Sequence, residues 1–519
     1  MLLRLGEIQT LVVSSPDTAR EIMKTHDQIF ADRPSLRSAE IILYDSMDLA
    51  FVRYGDWNLE NNASNTSLCF TPPLFLLLSI TKRALSKKPN FPPSPPRLPL
   101  IGNLHQLGSL PHLSLTSLSK KYGPLMLLRL GEIRTLIVST PDMAREVMKT
   151  HDLSFANRPT SKVTEILLYN NMDVGFSPYG EYWRNVRKLC TIHLLSSKRV
   201  QSYHLMREEE VAFMVQKITQ CSSLRVIDMS EVLYSFANDT ICRVVSGKFF
   251  RGGGRNELFR EIFEENSYLL SAFNIGDYFP WLAWLGVFFG LSSRARRNFE
   301  RLDDLLDEVI VEHEDRKKVD EEKDFVDVLL SLQKDSNLDF KLEKDHMKAI
   351  LADMFGAGTE TTSITLEWAM AEIVRNFKVM KKLQDEVRGI VGKNHVVRED
   401  DLNSMTYLKA VVKETLRLHP PAPLLMPRES IEDRYIKDYF IPKKTRVIVN
   451  GWAINRDPNF GRNQMSFVPR DLSIARSISK VTISIASWIE KRRMDMNEKP
   501  GFVTRRAEKL HLVAKPCLP

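Results

Sequence analysis

A segment of 56 residues occurs twice in this chain of 519 residues, and this repeat constrains the fold more than any other feature. Met1–Asp56 aligns without gaps on Met126–Glu181 at a constant offset of 125, and 35 of the 56 aligned positions are identical. Solenoids need at least three stacked units, so two copies separated by unrelated sequence do not predict one. A single domain has room for one such segment. Residues 1–57 are therefore predicted to be a surplus partial duplicate of 126–181.

Each copy has the pattern of a β-hairpin followed by a helix. In the second copy, apolar alternation predicts strands at Leu128–Leu130 and Leu136–Val138, with a turn at Gly131. Pro141 then begins an amphipathic helix that is predicted to run through Met148.

Residues 58–88, between the copies, contain an apolar run at Leu68–Ile80 that is interrupted by Pro72-Pro73 and followed by a basic cluster. Its 13 residues are fewer than the roughly 20 that a membrane-spanning helix needs. The run is interpreted either as a short buried or interfacial segment or as a degraded membrane anchor. The proline-rich residues 89–102 predict a stiff, extended hinge before the globular body.

The composition is that of a folded protein and excludes several classes. With 43% hydrophobic and 27% charged residues, the chain is neither disordered nor fibrous. A net charge of +8 favours an anionic partner such as a membrane surface, but no clustered basic stripe predicts nucleic-acid binding. The five cysteines form no CxxC pair and no zinc spacing, so the sequence predicts no metal-ligand set and a reduced, cytosol-facing chain.

The body of the chain predicts a mainly α fold. Strand-like alternation is concentrated in residues 424–450. We therefore expect one large helical domain with small sheets over residues 103–519. Helical periodicity recurs over residues 183–220, 225–246, 257–272, 295–317, 325–333, 345–392 and 403–418.

The first of three motifs with candidate chemistry is AGTETT at residues 357–362, inside the longest predicted helix. Glycine and β-branched residues are poor helix formers, so something must compensate for them. One interpretation is a ligand that approaches the backbone closely, with Glu360 and Thr361 relaying protons. The other is a helix crossing that needs small side chains.

The other two motifs also have two interpretations each. In ETLRLHPP, Glu414 and Arg417 are three residues apart on one helix face and can pair, as a functional contact or as an ordinary surface ion pair. In WRNVRK, Trp183 and Arg187 place an indole and a guanidinium on one face, which suits a planar, anionic ligand. The alternative is a solvated basic helix face.

The order of these motifs along the chain resembles the cytochrome P-450 superfamily, and in particular its plant microsomal A-type enzymes. The resemblance covers roughly residues 68–470 and resumes in the tail, where MDMNEKPGFVTRRAEKLHLVAKP is similar to the family's C-terminal sheet. It implies a cytochrome P-450-like helical domain with haem b as cofactor. The segments that carry it are PPSPPRLPLIGN, WRNVRKLC, AGTETT, ETLRLHPP and FVP.

The resemblance implies roles for individual residues. The helix with Ala357 and Gly358 would pass over the distal face of the haem, with Gly358 leaving room for dioxygen. Thr361 would hydrogen-bond the iron-bound oxygen species, and Glu360 would pass protons to it from solvent. The remaining implied cofactor contacts are those of Trp183, Arg187 and Arg428 with the haem propionates.

Glu414 and Arg417 match the family's buried ion pair, which a third arginine completes from an F-x-P-E-R-F segment. Here that segment reads FVPRDL at residues 467–472. The glutamate is missing, so Arg470 is assigned as the third member on position alone.

The main departure from the family follows this segment. The family holds its iron through a cysteine thiolate in a loop of the form F-x-x-G-x-R-x-C-x-G, and this thiolate promotes O–O cleavage. Between Pro469 and Asp495 the chain has neither a cysteine nor a glycine. Ser477–Ile489 is predicted to be what remains of the family's last helix.

No other residue is predicted to replace this thiolate. Cys190 lies in the WRNVRKLC motif, Cys517 lies near the end of the chain, and Cys221 and Cys242 are interpreted as structural thiols. His419 and His511 occupy positions that are general in the family and are not predicted to bind iron.

Two functional hypotheses follow. In the first, the gene product is a haem monooxygenase that inserts one oxygen atom of O₂ into a small hydrophobic plant metabolite, and the 519-residue sequence is a mis-assembled form of it. The resemblance implies NADPH-cytochrome reductase as electron donor and the cytosolic face of the endoplasmic reticulum membrane as location. In the second, the polypeptide exists with this sequence and is a non-catalytic relative. The segments predicted to line the substrate pocket are Phe155–Asp173, the aromatic-rich Phe273–Phe289 and the turn after Pro421.

Overall fold

The computed structural model divides the chain into two units, Met1–Lys88 and Pro89–Pro519. In the first unit, β1 (Leu2–Leu5) and β2 (Ile8–Leu11) form a two-stranded antiparallel sheet. The residues that the structure describes are 2–5, 8–11, 89–221, 226–247, 255–287, 290–315, 324–335, 340–392, 397–460, 466–469, 487–489 and 495–515.

The second unit is mainly helical, which confirms the predicted fold class. Its helices are α1 (Pro111–Tyr122), α2 (Pro141–Arg145), α3 (Lys162–Leu167), α4 (Glu181–Leu189), α5 (Ser197–Ser202), α6 (His204–Cys221), α7 (Met229–Ser246), α8 (Arg255–Ser271), α9 (Ile275–Tyr278), α10 (Leu291–Glu314), α11 (Phe325–Gln333), α12 (Lys344–Arg375), α13 (Phe377–Val391), α14 (Thr406–Leu418) and α15 (Gly451–Ile454).

Small sheets lie among these helices. The strands are β3 (Leu125–Leu130), β4 (Ile133–Val138), β5 (Ile227–Asp228), β6 (Arg428–Glu429), β7 (Arg434–Ile436), β8 (Tyr439–Ile441), β9 (Arg446–Val449), β10 (Ser487–Ile489), β11 (Glu498–Lys499), β12 (Arg505–Arg506) and β13 (His511–Lys515). Their orders are β3-β4-β9-β6, β10-β13-β5, β7-β8 and β11-β12.

The two copies of the repeated segment form hairpins with the same register. Leu2 is opposite Leu11 in the first hairpin, and Leu127 is opposite Leu136 in the second, again at an offset of 125. In the second hairpin β4 also pairs with β9 in parallel, and Leu136 is fully buried. The same residue pattern therefore specifies the same hairpin twice.

Helix α12 is the central element of the second unit. Its 32 residues span about 48 Å, and buried side chains occur around its whole circumference, as expected for a helix enclosed by others. Phe355 and Trp368 are among the largest fully buried side chains of the described chain. Helices α7, α14 and α13 pack against α12, and within the AGTETT motif Thr359 and Glu360 are buried.

Three predicted segments differ from the structure. The helix predicted over 345–392 is two helices, because the chain bends at Asn376 between α12 and α13. The helix predicted over 183–220 is broken by a π-helical turn at Cys190–Leu194 and by a non-helical residue at Tyr203. The end of the helix predicted at Ser477–Ile489 is a strand, since β10 pairs with β13.

The apolar run Leu68–Ile80 and Arg470 lie outside the described residues. Among the residues that are described, no helix is both long and apolar enough to cross a membrane.

Candidate functional site

One face of α12 carries Asp353, Ala357 and Thr361, which are spaced four residues apart. Ala357 is exposed and Thr361 is half-buried, so this face is open beside the motif although the helix is otherwise enclosed. The Thr361 hydroxyl donates to the Ala357 carbonyl oxygen at 2.6 Å. This bond within the helix fixes the hydroxyl and leaves its oxygen lone pairs available to a ligand.

The two glycines near the motif lie at helix crossings. A Cβ on Gly358 would come within 2.6 Å of Cδ1 of Ile241 on α7, and one on Gly356 within 2.8 Å of the ring of Phe263 on α8. Both contacts are closer than real Cβ atoms allow. The helix-crossing interpretation therefore accounts for Gly358 without a ligand, and its role towards dioxygen stays a prediction.

Glu360 faces a different side of α12 from Thr361, because adjacent helical residues are 100° apart. Its side chain is largely buried and accepts a hydrogen bond from Arg505 on β12. Burial raises the pKa of the Glu360 carboxyl, and the Arg505 guanidinium opposes that rise. No hydrogen bond between Glu360 and Thr361 occurs in the described chain, and their role in proton transfer stays a prediction.

The residues of α4 that are predicted to contact the cofactor are connected to the open face of α12 through Val174. The Trp183 indole N–H donates to the Val174 carbonyl oxygen at 3.1 Å, and the Val174 N–H donates to Oδ2 of Asp353 at 2.7 Å. Arg187 is exposed and lies 5.1 Å from the centre of the Trp183 ring. The structure thus brings the two predicted groups of residues to the same region.

Two further arginines adjoin this grip. Arg428 donates to Oδ1 of Asp152 at 2.7 Å, and Arg158 donates to the Pro427 carbonyl oxygen at 2.9 Å. Burial lowers the pKa of Arg158 to about 10, and the nearby charges of Arg428 and Arg187 contribute. We call Arg158, Arg187 and Arg428 the arginine cluster. It is an electropositive place suited to carboxylate groups.

Sequence reasoning missed Arg158, the buried Asp173 and the half-buried Asp353. Asp173 is 1% exposed, its Oδ2 accepts from the Phe176 N–H at 2.7 Å, and its Oδ1 has no partner in the described chain. Burial raises the pKa of both carboxyl groups. One available signal for Arg158 was its recurrence before proline in both copies, as Arg33-Pro34 and Arg158-Pro159.

The predicted ion pair of α14 is formed, with Glu414 buried and Arg417 half-buried. Arg417 Nε and Nη2 donate to Oε2 and Oε1 of Glu414 at 2.8 and 2.9 Å. Glu414 Oε1 also accepts from the Val468 N–H at 2.8 Å, which fastens the FVP segment to α14. The proposed third member, Arg470, lies outside the described residues.

The aromatic side chains of the second predicted pocket segment differ in their exposure. Phe279 is buried against Gly131, whereas Trp281 and Trp284 are 56% and 63% exposed. A cavity of about 640 Å³ lies between α8, α10 and residues 499–505.

Haem is the cofactor that the resemblance implies, and the described residues suit its carboxylates and its plane but not its iron. The arginine cluster and the open face at Ala357 and Thr361 suit the carboxylates and the plane of such a group. The iron needs a thiolate, and the two cysteines whose side chains are described, Cys190 and Cys242, are buried. Burial raises the pKa of Cys190 to about 12 and that of Cys242 well above its usual value, so both are protonated thiols. The donor set described does not fit iron.

Comparison with known proteins gives a consistent picture. The sequence profile of the cytochrome P450 family matches residues 92–470. Cytochrome P450 71A1 of Persea americana is 47% identical over 457 residues, which cover 80% of this chain and 91% of that protein. Cytochrome P450 71A4 of Solanum melongena is 43% identical over 468 residues, covering 82% and 92%.

The fold also matches solved structures. A zebrafish cytochrome P450 in a structure with progesterone superimposes with a TM-score of 0.66 and 25% identity, over 78% of this chain and 99% of that one. A second structure described as zebrafish cytochrome P450, with abiraterone, gives a TM-score of 0.64 over 79% and 100%.

Proposed function

Because this chain belongs to the cytochrome P450 family, we propose that its helical body is that of a haem-dependent monooxygenase. The reaction is the insertion of one oxygen atom of O₂ into a small hydrophobic plant metabolite. The polypeptide of these 519 residues is itself inactive in that reaction, since the family's cysteine loop is missing from its sequence after Pro469 and the cysteine side chains that the structure describes are protonated. The thiolate of the family donates electron density that promotes O–O cleavage, and without it this chemistry is lost.

The observation that carries this proposal is the contrast between the two ends of the site. The arginine cluster and the open face of α12 support binding of a planar, anionic cofactor such as haem b. By contrast, residues 470–494 contain neither cysteine nor glycine, and the family profile stops matching at Arg470. Cys190 and Cys242 do not replace the missing ligand, because both are buried and protonated.

The partners follow from the same family. A form of the protein with the cysteine loop would take its electrons from NADPH-cytochrome reductase at the cytosolic face of the endoplasmic reticulum membrane. Exposed apolar side chains beside a cation support contact with a membrane surface, because apolar burial and attraction to anionic lipids both contribute to such binding. Leu98, Leu100 and Trp281 border one small cavity, with Arg97 beside them, and all three apolar residues are exposed.

The test is the absorption spectrum of ferrous haem with carbon monoxide, whose main band shows whether a thiolate is bound. We expect no thiolate band from the 519-residue chain reconstituted with haemin. A variant with a glycine-rich loop of the form F-x-x-G-x-R-x-C-x-G inserted after Pro469 should show the band. The same insertion with serine in place of its cysteine is the matched control and should not.

Two results would contradict the proposal. A thiolate band from the unaltered chain would mean that another cysteine binds the iron, and the inactive assignment would be wrong. A folded chain with the cysteine-bearing insertion that binds no haem would mean that the helical body is not a monooxygenase site.

The alternative is that the cellular product differs from this sequence through mis-assembled exons. Two departures favour it, since the chain carries both a repeated segment at 1–57 and a missing loop after Pro469. Sequencing the full-length transcript in one read distinguishes the two. A cysteine-bearing loop in the transcript supports a mis-assembled sequence, and 519 unchanged codons support a non-catalytic relative.

A further inference from the structure

The cavity of about 640 Å³, which we call the α8–α10 cavity, has no part in the site described so far. Residues spaced by three, four and seven positions lie on one face of a helix. Helix α8 lines the cavity with Glu261, Glu264, Glu265 and Tyr268, and α10 lines it with Arg294, Arg297, Asn298 and Arg301. The third wall is the hairpin segment 499–505. Both helices therefore turn one charged face towards the same space.

Three ion pairs neutralise the carboxylates of this lining. Each pair joins two different elements, so the pairs also fasten the walls of the cavity to one another. The pairs are Glu261–Arg301 at 2.7 Å, Glu265–Arg294 at 2.8 Å and Glu264–Arg505 at 2.7 Å. Each glutamate of the described lining thus has an arginine as its partner.

Two cations of the lining are left over. Arg297 on α10 and Lys499 on β11 are exposed, and neither has an ion pair among the residues that the structure describes. Because the lining carboxylates are already paired, these two side chains give the walls two positive charges in excess. Such an excess favours a ligand that carries two negative charges.

A buried amide in the same wall needs a hydrogen-bond donor. Asn298 is 3% exposed, and its Nδ2 donates to the Ile262 carbonyl oxygen at 2.9 Å and to Oδ1 of Asn266 at 2.8 Å. The Ile262 oxygen can only accept, which fixes the orientation of the amide. The Asn298 Oδ1 has no hydrogen-bond partner in the described chain. A buried acceptor without a donor is costly, so a donor supplied from the cavity would stabilise it.

The volume and the lining together define a ligand class. Small-molecule sites commonly measure about 300 to 1,000 Å³, and this cavity lies within that range. Its charged walls do not suit the hydrophobic metabolite of the proposed function. We propose that the α8–α10 cavity binds a small organic dianion that carries a hydroxyl group. Arg297 and Lys499 contact the anionic groups, and Oδ1 of Asn298 accepts a hydrogen bond from the hydroxyl.

The test is isothermal titration calorimetry of the full chain without haem at pH 8, with malate and glucose 6-phosphate as probes. Both are hydroxylated dianions at this pH, one through carboxylates and the other through a phosphate. We expect a Kd at or below about 1 mM for at least one of them. The tighter probe identifies the anionic group that the site prefers. No binding of either probe would mean that water alone fills the cavity, and the proposal would be wrong.

The role of the two cations is tested by removing one charge at a time. Arg297→Gln and Lys499→Gln should each weaken binding of the tighter probe about tenfold, because hydrogen bonds between charged groups contribute this much. Arg296→Gln is the matched control, since Arg296 is the exposed neighbour of Arg297 on α10 and does not line the cavity. It should leave the Kd unchanged. Affinities of Arg297→Gln and Lys499→Gln equal to that of Arg296→Gln would contradict the proposal.

The role of Asn298 is tested with ligands that lack the hydroxyl. Succinate is malate without its hydroxyl, and methyl phosphate serves in the same way for glucose 6-phosphate. The unaltered chain should bind the hydroxylated member of the pair about fivefold more tightly. Asn298→Ala should bind both members equally. Equal affinities in the unaltered chain would overturn the proposal, and this comparison holds even if Asn298→Ala fails to fold.

The outcome is independent of the proposed function. The arginine cluster, Ala357 and Thr361 do not line the α8–α10 cavity, and the titrations need neither haem nor activity. A failure to bind either probe would therefore leave the carbon monoxide test unaffected, and the reverse also holds.

Discussion

At the scale of single residues, the neighbouring carboxyl groups of Asp173 and Asp353 make the stability of the chain depend on pH. Asp353 accepts a hydrogen bond from the Val174 N–H at 2.7 Å, burial raises the pKa of its carboxyl, and the nearby Asp173 charge raises that pKa further. The positive charge of Arg158 lowers the pKa of Asp173 and opposes the effect of burial. Tyr182 and Cys190 also face this pair, and both are neutral.

We expect the chain to lose stability as the pH rises from about 4 to about 7. The folded state keeps protons on this pair that the unfolded chain releases near pH 4, and stability falls with pH wherever the folded state binds more protons. The pKa of Asp173 is raised to about 6, which sets that window. Asp353→Asn should reduce the loss of unfolding free energy between pH 4.5 and pH 7.5 by on the order of 1 to 3 kcal/mol. Urea unfolding at the two pH values measures this difference.

The asparagine keeps an oxygen for the Val174 N–H, so the variant removes charge and not the hydrogen bond. Asp385 on α13 is exposed, and Asp385→Asn is the control that should leave the pH dependence as it is. If Asp353→Asn lost as much stability with rising pH as the unaltered chain, the Asp353 carboxyl would not be a cause of that loss.

At the scale of secondary-structure elements, the crossing of α12 over α7 decides which side chains the AGTETT motif can carry. Gly358 meets Ile241, and this contact leaves the neighbouring Ala357 on the open face. The motif thus combines a packing requirement with an accessible surface on adjacent residues.

Gly358→Ala should therefore destabilise the chain. Its Cβ would lie 2.6 Å from Cδ1 and 2.9 Å from Cγ1 of Ile241, and such overpacking typically costs about 1 to 3 kcal/mol. The measurement is the urea midpoint, with Ile241→Val as partner in a double-mutant cycle. Because valine lacks Cδ1, the double variant should lose less stability than the sum of the two.

Gly389 on α13 is the matched control, since a Cβ there would meet nothing within 4 Å. Gly389→Ala should stabilise the chain by roughly 0.5 to 1 kcal/mol through helix propensity. A Gly358→Ala chain that gains stability in the same way would contradict the crossing argument.

Elements also show where sequence patterns stop being informative. Apolar periodicity runs through 345–392 without interruption, yet the helix ends at Arg375. The Asn376 side chain donates to the Glu372 carbonyl oxygen and to Glu372 Oε2, a local bond that competes with continued helix. The periodic pattern of apolar residues shows which face of a helix is buried. It does not show where a side chain such as that of Asn376 ends the helix.

At the scale of the whole molecule, the order of the motifs predicted the fold class, because each motif belongs to a different element of one known architecture. The site was less accessible to sequence reasoning. Glu360 and Thr361 are adjacent in sequence, which suggested a shared role, but the helix turns them to different partners. The partner of Glu360, Arg505, is 145 residues away, and no local pattern connects the two.

Because the hairpin segment is repeated, two hairpins of the same pattern are available to pair with β9 and β6 in the four-stranded sheet. The structure places the second copy there, while β1 and β2 form a sheet of two strands, an arrangement of marginal stability in water. Leu11 and Leu136 are the same residue in the two copies, so they offer a direct comparison.

Leu136→Ala should lower the free energy of unfolding by about 2 to 5 kcal/mol, because Leu136 is fully buried between β3 and β9. Leu11→Ala should change it by less than about 0.5 kcal/mol, since the core of the second unit is complete with the second hairpin. Urea midpoints of the two variants and of the full chain measure both effects. Equal losses would mean that the two hairpins exchange places in the sheet, and a loss for Leu11→Ala alone would mean that the first copy occupies it. In either case residues 1–57 would be part of the fold and not surplus to it.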